Sequence, residues 1–68
     1  MKVVLNGHEA DVAQGATVRS VLSALDVPDD ARGVAVAVDA EVVPRGAWDA
    51  LELDEGARVE VLHAVQGG

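Results

Sequence analysis

The chain has 68 residues, half of them hydrophobic, with 12 acidic against 5 basic residues and a net charge of −7. One small folded domain fits this length and hydrophobic content, and the scattered Lys2, Arg19, Arg32, Arg45 and Arg58 argue against nucleic acid, whose phosphates need clustered cations. Cysteine is absent, which excludes disulfides, thiolate catalysis and Cys-based zinc sites.

Fourteen valines, a single Trp48 and no Phe or Tyr predict an aliphatic core rich in strands. No apolar run reaches membrane-spanning length, and Met1-Lys2 leads directly into a short strand and not into a signal peptide, so a cytoplasmic location is the default expectation. The acidity suits solubility, and the sharper alternative is steering toward a basic protein partner.

Val3-Val4-Leu5 reads as a first strand. Asn6-Gly7 is a strong hairpin signal because both residues tolerate positive φ. Glu9 to Val12 alternates polar and apolar, as a half-buried return strand should. After Gln14-Gly15, Thr17 fits a helix N-cap, and Val18, Val21, Leu22 and Leu25 fall on one helical face. The helix should stop near Asp26, ahead of Pro28. Val34, Val36 and Val38 alternate with Ala35 and Ala37, giving a strand apolar on both faces and therefore placed inside a sheet. Glu41-Val42-Val43 is a short strand ended by Pro44. Arg45 to Ala50 holds Trp48 in irregular structure or a short helical turn. Asp54-Glu55-Gly56 is a turn, and Arg58 to Val65 is the last and longest strand. One amphipathic helix must bury its stripe on a mixed sheet, so the fold class is α+β. The first and last strands are candidates for parallel pairing at the sheet centre.

Several residues stand out for function. Gly67-Gly68 has no side chains and can thread a channel closed to other dipeptides, and the α-carboxylate of Gly68 is the candidate working group. Gln66, Gly67 and Gly68 together reach about 10 Å when extended, at ~3.3–3.6 Å per residue. If Val59, Val61 and Val65 face the core, Leu62 and Ala64 lie on the opposite face. There they are either docking residues or are covered by a loop. Trp48 is either an interaction anchor or core, and Arg45 either meets a partner or holds loop carbonyls or a nearby acid. His8 and His63 lie far apart and make no metal site, so no metal is expected.

The Asn6-Gly7 hairpin, Gly15-Ala16-Thr17-Val18 opening the helix, Val43-Pro44-Arg45 followed by Trp48, and Val65-Gln66-Gly67-Gly68 together resemble the ThiS family of bacterial sulfur carriers for thiamin thiazole biosynthesis. The likeness covers the whole chain and implies a β-grasp, ubiquitin-like domain over residues 1–65 with a flexible tail, 66–68. It further implies a protein cosubstrate and not an enzyme. An adenylating partner, ThiF-like, uses ATP on the Gly68 carboxylate, the acyl-adenylate becomes a thiocarboxylate, and the sulfur passes to a ThiG-like thiazole synthase. Lacking cysteine, such a carrier would hold sulfur at its carboxylate and not as a persulfide. It would bind no cofactor itself. A MoaD-like carrier for molybdopterin synthesis, a carrier for cysteine biosynthesis, and a ubiquitin-like modifier or interaction module are the alternatives. A monomer is expected when the chain is free, although an exposed sheet edge could pair with itself.

Overall fold

The computed structural model describes residues 1–27 and 32–63. Five strands, β1 (Lys2–Leu5), β2 (His8–Asp11), β3 (Val34–Val38), β4 (Glu41–Val43) and β5 (Arg58–His63), form one mixed sheet in the order β2-β1-β5-β3-β4. β1 and β5 run parallel at its centre, and the other neighbours are antiparallel. One helix, α1 (Val18–Ala24), packs its Val18, Val21 and Leu22 into a core shared with Val3, Val36, Val59 and Val61. This is the β-grasp arrangement, with one helix laid on a single face of the sheet.

Turn chemistry fixes the register. Leu5 sits opposite His8, so Asn6 and Gly7 make a two-residue turn, with φ of 48° and 83°. Both values suit a type I′ turn, whose twist matches that of the strands it joins. β2 therefore begins at His8, one residue before the polar–apolar alternation suggests, and Val12 falls beyond it, donating its N–H to the Met1 carbonyl at 2.8 Å.

A second turn of the same kind joins β3 to β4, where Asp39 and Ala40 have φ of 50° and 70°. An alanine side chain is strained there by roughly 1–2 kcal/mol. Replacing Ala40→Gly should stabilise the protein by about 0.5–1 kcal/mol after the extra chain entropy of glycine is set against that relief. In a thermal melt this reads as a midpoint a few degrees higher, since about 1 kcal/mol moves a domain of this size by roughly 4–8 °C.

Thr17 caps α1 as its sequence position predicts. Its Oγ1 accepts from the Ser20 amide at 3.2 Å while its own amide donates to Ser20 Oγ at 2.9 Å. The next amides are held by a distant loop, Val18 donating to Leu51 O and Arg19 to Trp48 O. The helix end differs from expectation at one residue. Leu25 is 43% exposed, not buried with the stripe. Asp26 enters the left-handed region with φ of 60°, and the Asp26 and Val27 amides reach back to the Ser23 and Leu22 carbonyls. This Schellman closure reverses the chain and tucks Val27, not Leu25, against the core.

β3 is interior, as its pattern suggests, but only one of its faces is covered. Val36 is buried, whereas Ala35, on the face away from the helix, is exposed. β5 is described from Arg58 to His63, so the expected continuation through Val65 lies outside the described residues.

Candidate functional site

The central strand β5 is the element that leads toward residues 64–68. Ala64, Gln66, Gly67 and Gly68, singled out in the sequence, lie outside the described residues, but the strand before them is well defined. Val59 and Val61 point into the core, and Arg58, Glu60 and Leu62 point to the open face. Leu62 is 64% exposed. Its cross-strand partner is Ala35, and Glu60 pairs with Ala37, which pairs in turn with Val42, 78% exposed. The two alanines are too short to shield Leu62. The open face therefore carries an apolar strip of Leu62, Ala35, Ala37 and Val42, bordered by Arg58 and Glu60.

Two side chains brace β5 from opposite sides. Asn6 Oδ1 accepts from the Val61 amide at 2.8 Å, and Asp39 Oδ1 accepts from the Arg58 amide at 3.0 Å. Each is the first residue of a type I′ turn, where the backbone bends away and the side-chain oxygen stands in for a ladder carbonyl. Sequence reasoning reads Asn6 as a turn former only. Its Val61 partner is 55 residues away, and no local pattern carries that information. Replacing Asn6→Ala should cost about 2–3 kcal/mol, combining left-handed strain with the loss of a partner for the Val61 amide. The check is a urea titration, in which the midpoint falls and the slope stays constant.

Trp48 is corrected from a docking candidate to a core residue. It is 1% exposed, and its Nε1 donates to the Val43 carbonyl at 3.0 Å. A side chain so covered offers a partner no surface. A 3₁₀ turn, Arg45–Ala47, delivers it to the core. Arg45 is exposed, with its guanidinium 4.6 Å from the Trp48 ring centre. Arg19, not foreseen as part of this group, lies 5.3 Å from the same centre and pairs through Nε with Asp49 Oδ1 at 2.9 Å. Cation–π attraction fixes both arginines on the indole. The β3–β4 register, carried one residue past Val36↔Val43, sets Pro44 level with Ala35 and hence with Leu62. Leu62 and the Pro44-Arg45 segment thus share one end of the sheet, two strands or about 10 Å apart.

His8 and His63 are exposed and lie on different strands. Among the described residues no group of three His, Cys, Asp or Glu side chains is close enough to hold a metal ion, and no helix is long and apolar enough to cross a membrane.

A family model described as the ThiS family matches residues 3–68. The crystal structure of the thiamine biosynthesis protein ThiS from Geobacter metallireducens superposes with a TM-score of 0.82 at 37% identity, covering all of both chains. A solution structure of a thiamine biosynthesis protein from the same organism gives 0.79 at 37% identity, over all of this chain and 88% of the other. Two thiazole synthases, from Paramagnetospirillum magneticum and Magnetococcus marinus, are 34% and 35% identical over the full 68 residues. The chain spans about a fifth of the length of these curated relatives, 20% of each. On the family match and on the likeness to a solved ThiS chain along its whole length, this chain belongs to the ThiS family.

Proposed function

We propose that this chain is a sulfur carrier for thiamin thiazole biosynthesis, a protein cosubstrate whose reactive group is the α-carboxylate of Gly68. The observation that carries the reading is the family match, which runs through Gly67-Gly68. The likeness to thiazole synthases supports the thiazole pathway over molybdopterin synthesis. The geometry is consistent in kind, since the centre strand of a braced sheet leads toward the tail and an exposed Leu62 lies just before it.

The chemistry needs a partner enzyme. A carboxylate resists nucleophiles because it is negatively charged and has no good leaving group. A carboxylate oxygen of Gly68 attacks the α-phosphorus of ATP, pyrophosphate leaves, and a mixed anhydride with AMP forms. Hydrosulfide then attacks the acyl carbon, AMP departs, and a proton is released. The product is a thiocarboxylate, a nucleophilic sulfur tethered to the protein and presented to a thiazole synthase. Ordering a glycine tail in a partner's channel costs of order 1–2 kcal/mol per residue, and docking of the open sheet face offsets it. Leu62, with Ala64 and Arg45, is proposed as part of that docking surface.

The test is ATP–pyrophosphate exchange with a ThiF-like adenylating enzyme from the same organism. Exchange should depend on this chain and vanish when Gly68 is deleted. Exchange that persists without Gly68 would contradict the assignment.

A further inference from the structure

The bonds made by β5 fix the direction of its backbone groups. Val4 N–H donates to the Ala57 carbonyl and Asn6 N–H to the Val59 carbonyl, each at 2.9 Å, and Val61 N–H donates to Asn6 Oδ1 at 2.8 Å. Residues 57, 59 and 61 therefore turn their peptide groups toward β1. Arg58 turns the other way, its carbonyl accepting from the Asp39 amide at 2.8 Å. Strand alternation continues the pattern, with Glu60 and Leu62 directed at β3 and His63 directed to the β1 side.

The two neighbours of β5 do not run equally far. β3 pairs with it to Val34↔His63, whereas β1 pairs only at Val4↔Arg58 and Leu5↔Val59 before the chain turns away at Asn6-Gly7. The Asn6 side chain extends that ladder by one bond and no more. The Val61 carbonyl and the His63 N–H thus line a strand edge that no described strand covers. A groove lined by Asn6, Gly7, Arg58, Glu60, Val61 and Leu62 runs beside it.

We infer that this short edge is a strand-addition site, filled by an extended segment of the adenylating enzyme. The inference rests on the carrier reading above and names how the partner grips the chain. An uncovered strand edge bonds most readily to another strand. Net charge of −7 calls for a segment that is basic overall, Glu60 and Arg58 on the groove call for one basic and one acidic side chain to meet them, and Leu62 calls for an apolar side chain facing it. Pairing at His63 would hold the chain directly ahead of the tail, so the same contact that binds the domain also aims residues 64–68.

Two substitutions separate the backbone from the side chain. His63→Pro deletes the β1-side N–H and leaves the β3-directed amides of Glu60 and Leu62 in place, a position where a strand tolerates proline. His63→Ala keeps the N–H. In ATP–pyrophosphate exchange, His63→Pro should raise the KM for the chain about tenfold with the maximal rate retained, while His63→Ala behaves like the wild type. The thermal midpoints and the slow exchange of the Glu60 and Leu62 amides should match in both. Independently of either variant, NMR should show the His63 amide of the wild type becoming protected from hydrogen exchange when the enzyme is added.

Equal KM values for the two variants, or a His63 amide left unprotected in the complex, overturn the strand-addition site and leave the carrier reading standing. Absence of exchange with the wild type overturns both.

Discussion

Trp48→Ala is expected to bring the domain to the edge of unfolding. A chain of 68 residues has a total stability of roughly 3–10 kcal/mol at typical values per residue, and removing a buried Trp costs about 3–5 kcal/mol. Nothing nearby can refill the space, because Trp48 is the sole aromatic in a core of valines, leucines and alanines. The loss also reaches beyond the ring. Nε1 holds the Val43 carbonyl at the end of β4, the indole seats Arg19 and Arg45, and the Trp48 carbonyl accepts from the Arg19 amide at the start of α1. Trp48→Phe keeps much of the volume but drops the Nε1 hydrogen bond to Val43 and leaves a smaller ring in the core, so it should cost about 1–3 kcal/mol. Urea titration followed by far-UV circular dichroism reads both variants without the lost fluorophore. A Trp48→Ala loss below about 1 kcal/mol would mean that the core closes around the gap.

Gly67→Val is expected to abolish activation while leaving the fold intact. A carboxylate that must reach α-phosphorus through a narrow channel needs a stem without side chains. A β-branched residue is both wider and stiffer. Misplacing a reacting group by about 1 Å can cost roughly 100-fold in rate, so pyrophosphate exchange should fall by about that factor or more. The thermal midpoint should stay at the wild-type value, because the substitution lies beyond β5. Undiminished exchange with Gly67→Val would show that the tail does not enter a confined site.

Local chemistry made most of the fold legible. Asn6-Gly7 announced its hairpin, Thr17 its cap, and the 18, 21, 22 spacing its helix, because each signal is contained within a few residues. Failures came where the deciding partner is remote or unconventional. Asp39-Ala40 forms the same turn as Asn6-Gly7, but alanine at φ of 70° is not a turn signal that sequence can announce. Leu25 fits the helical period, yet the chain reverses at Asp26 and brings Val27 to the core in its stead. Ala35 is apolar and still exposed, since a single helix covers only one side of the sheet.

The candidate site was legible in part. Period-two alternation placed Leu62 opposite Val59 and Val61, and the structure exposes it. The core role of Trp48 depends on where residues 45–47 deliver it, and that is set by packing. The bracing of β5 by Asn6 and Asp39, 55 and 19 residues from their partners, is tertiary in origin.

Intact-protein mass spectrometry tests sulfur carriage most directly. The chain is incubated with a ThiF-like adenylating enzyme, ATP and sulfide, then weighed and fragmented. A mass gain equal to one oxygen replaced by one sulfur, located at Gly68 and absent from the chain lacking Gly68, is the predicted result. An unchanged mass at Gly68 under conditions where the enzyme turns over ATP, or sulfur attached at any other residue, would contradict it.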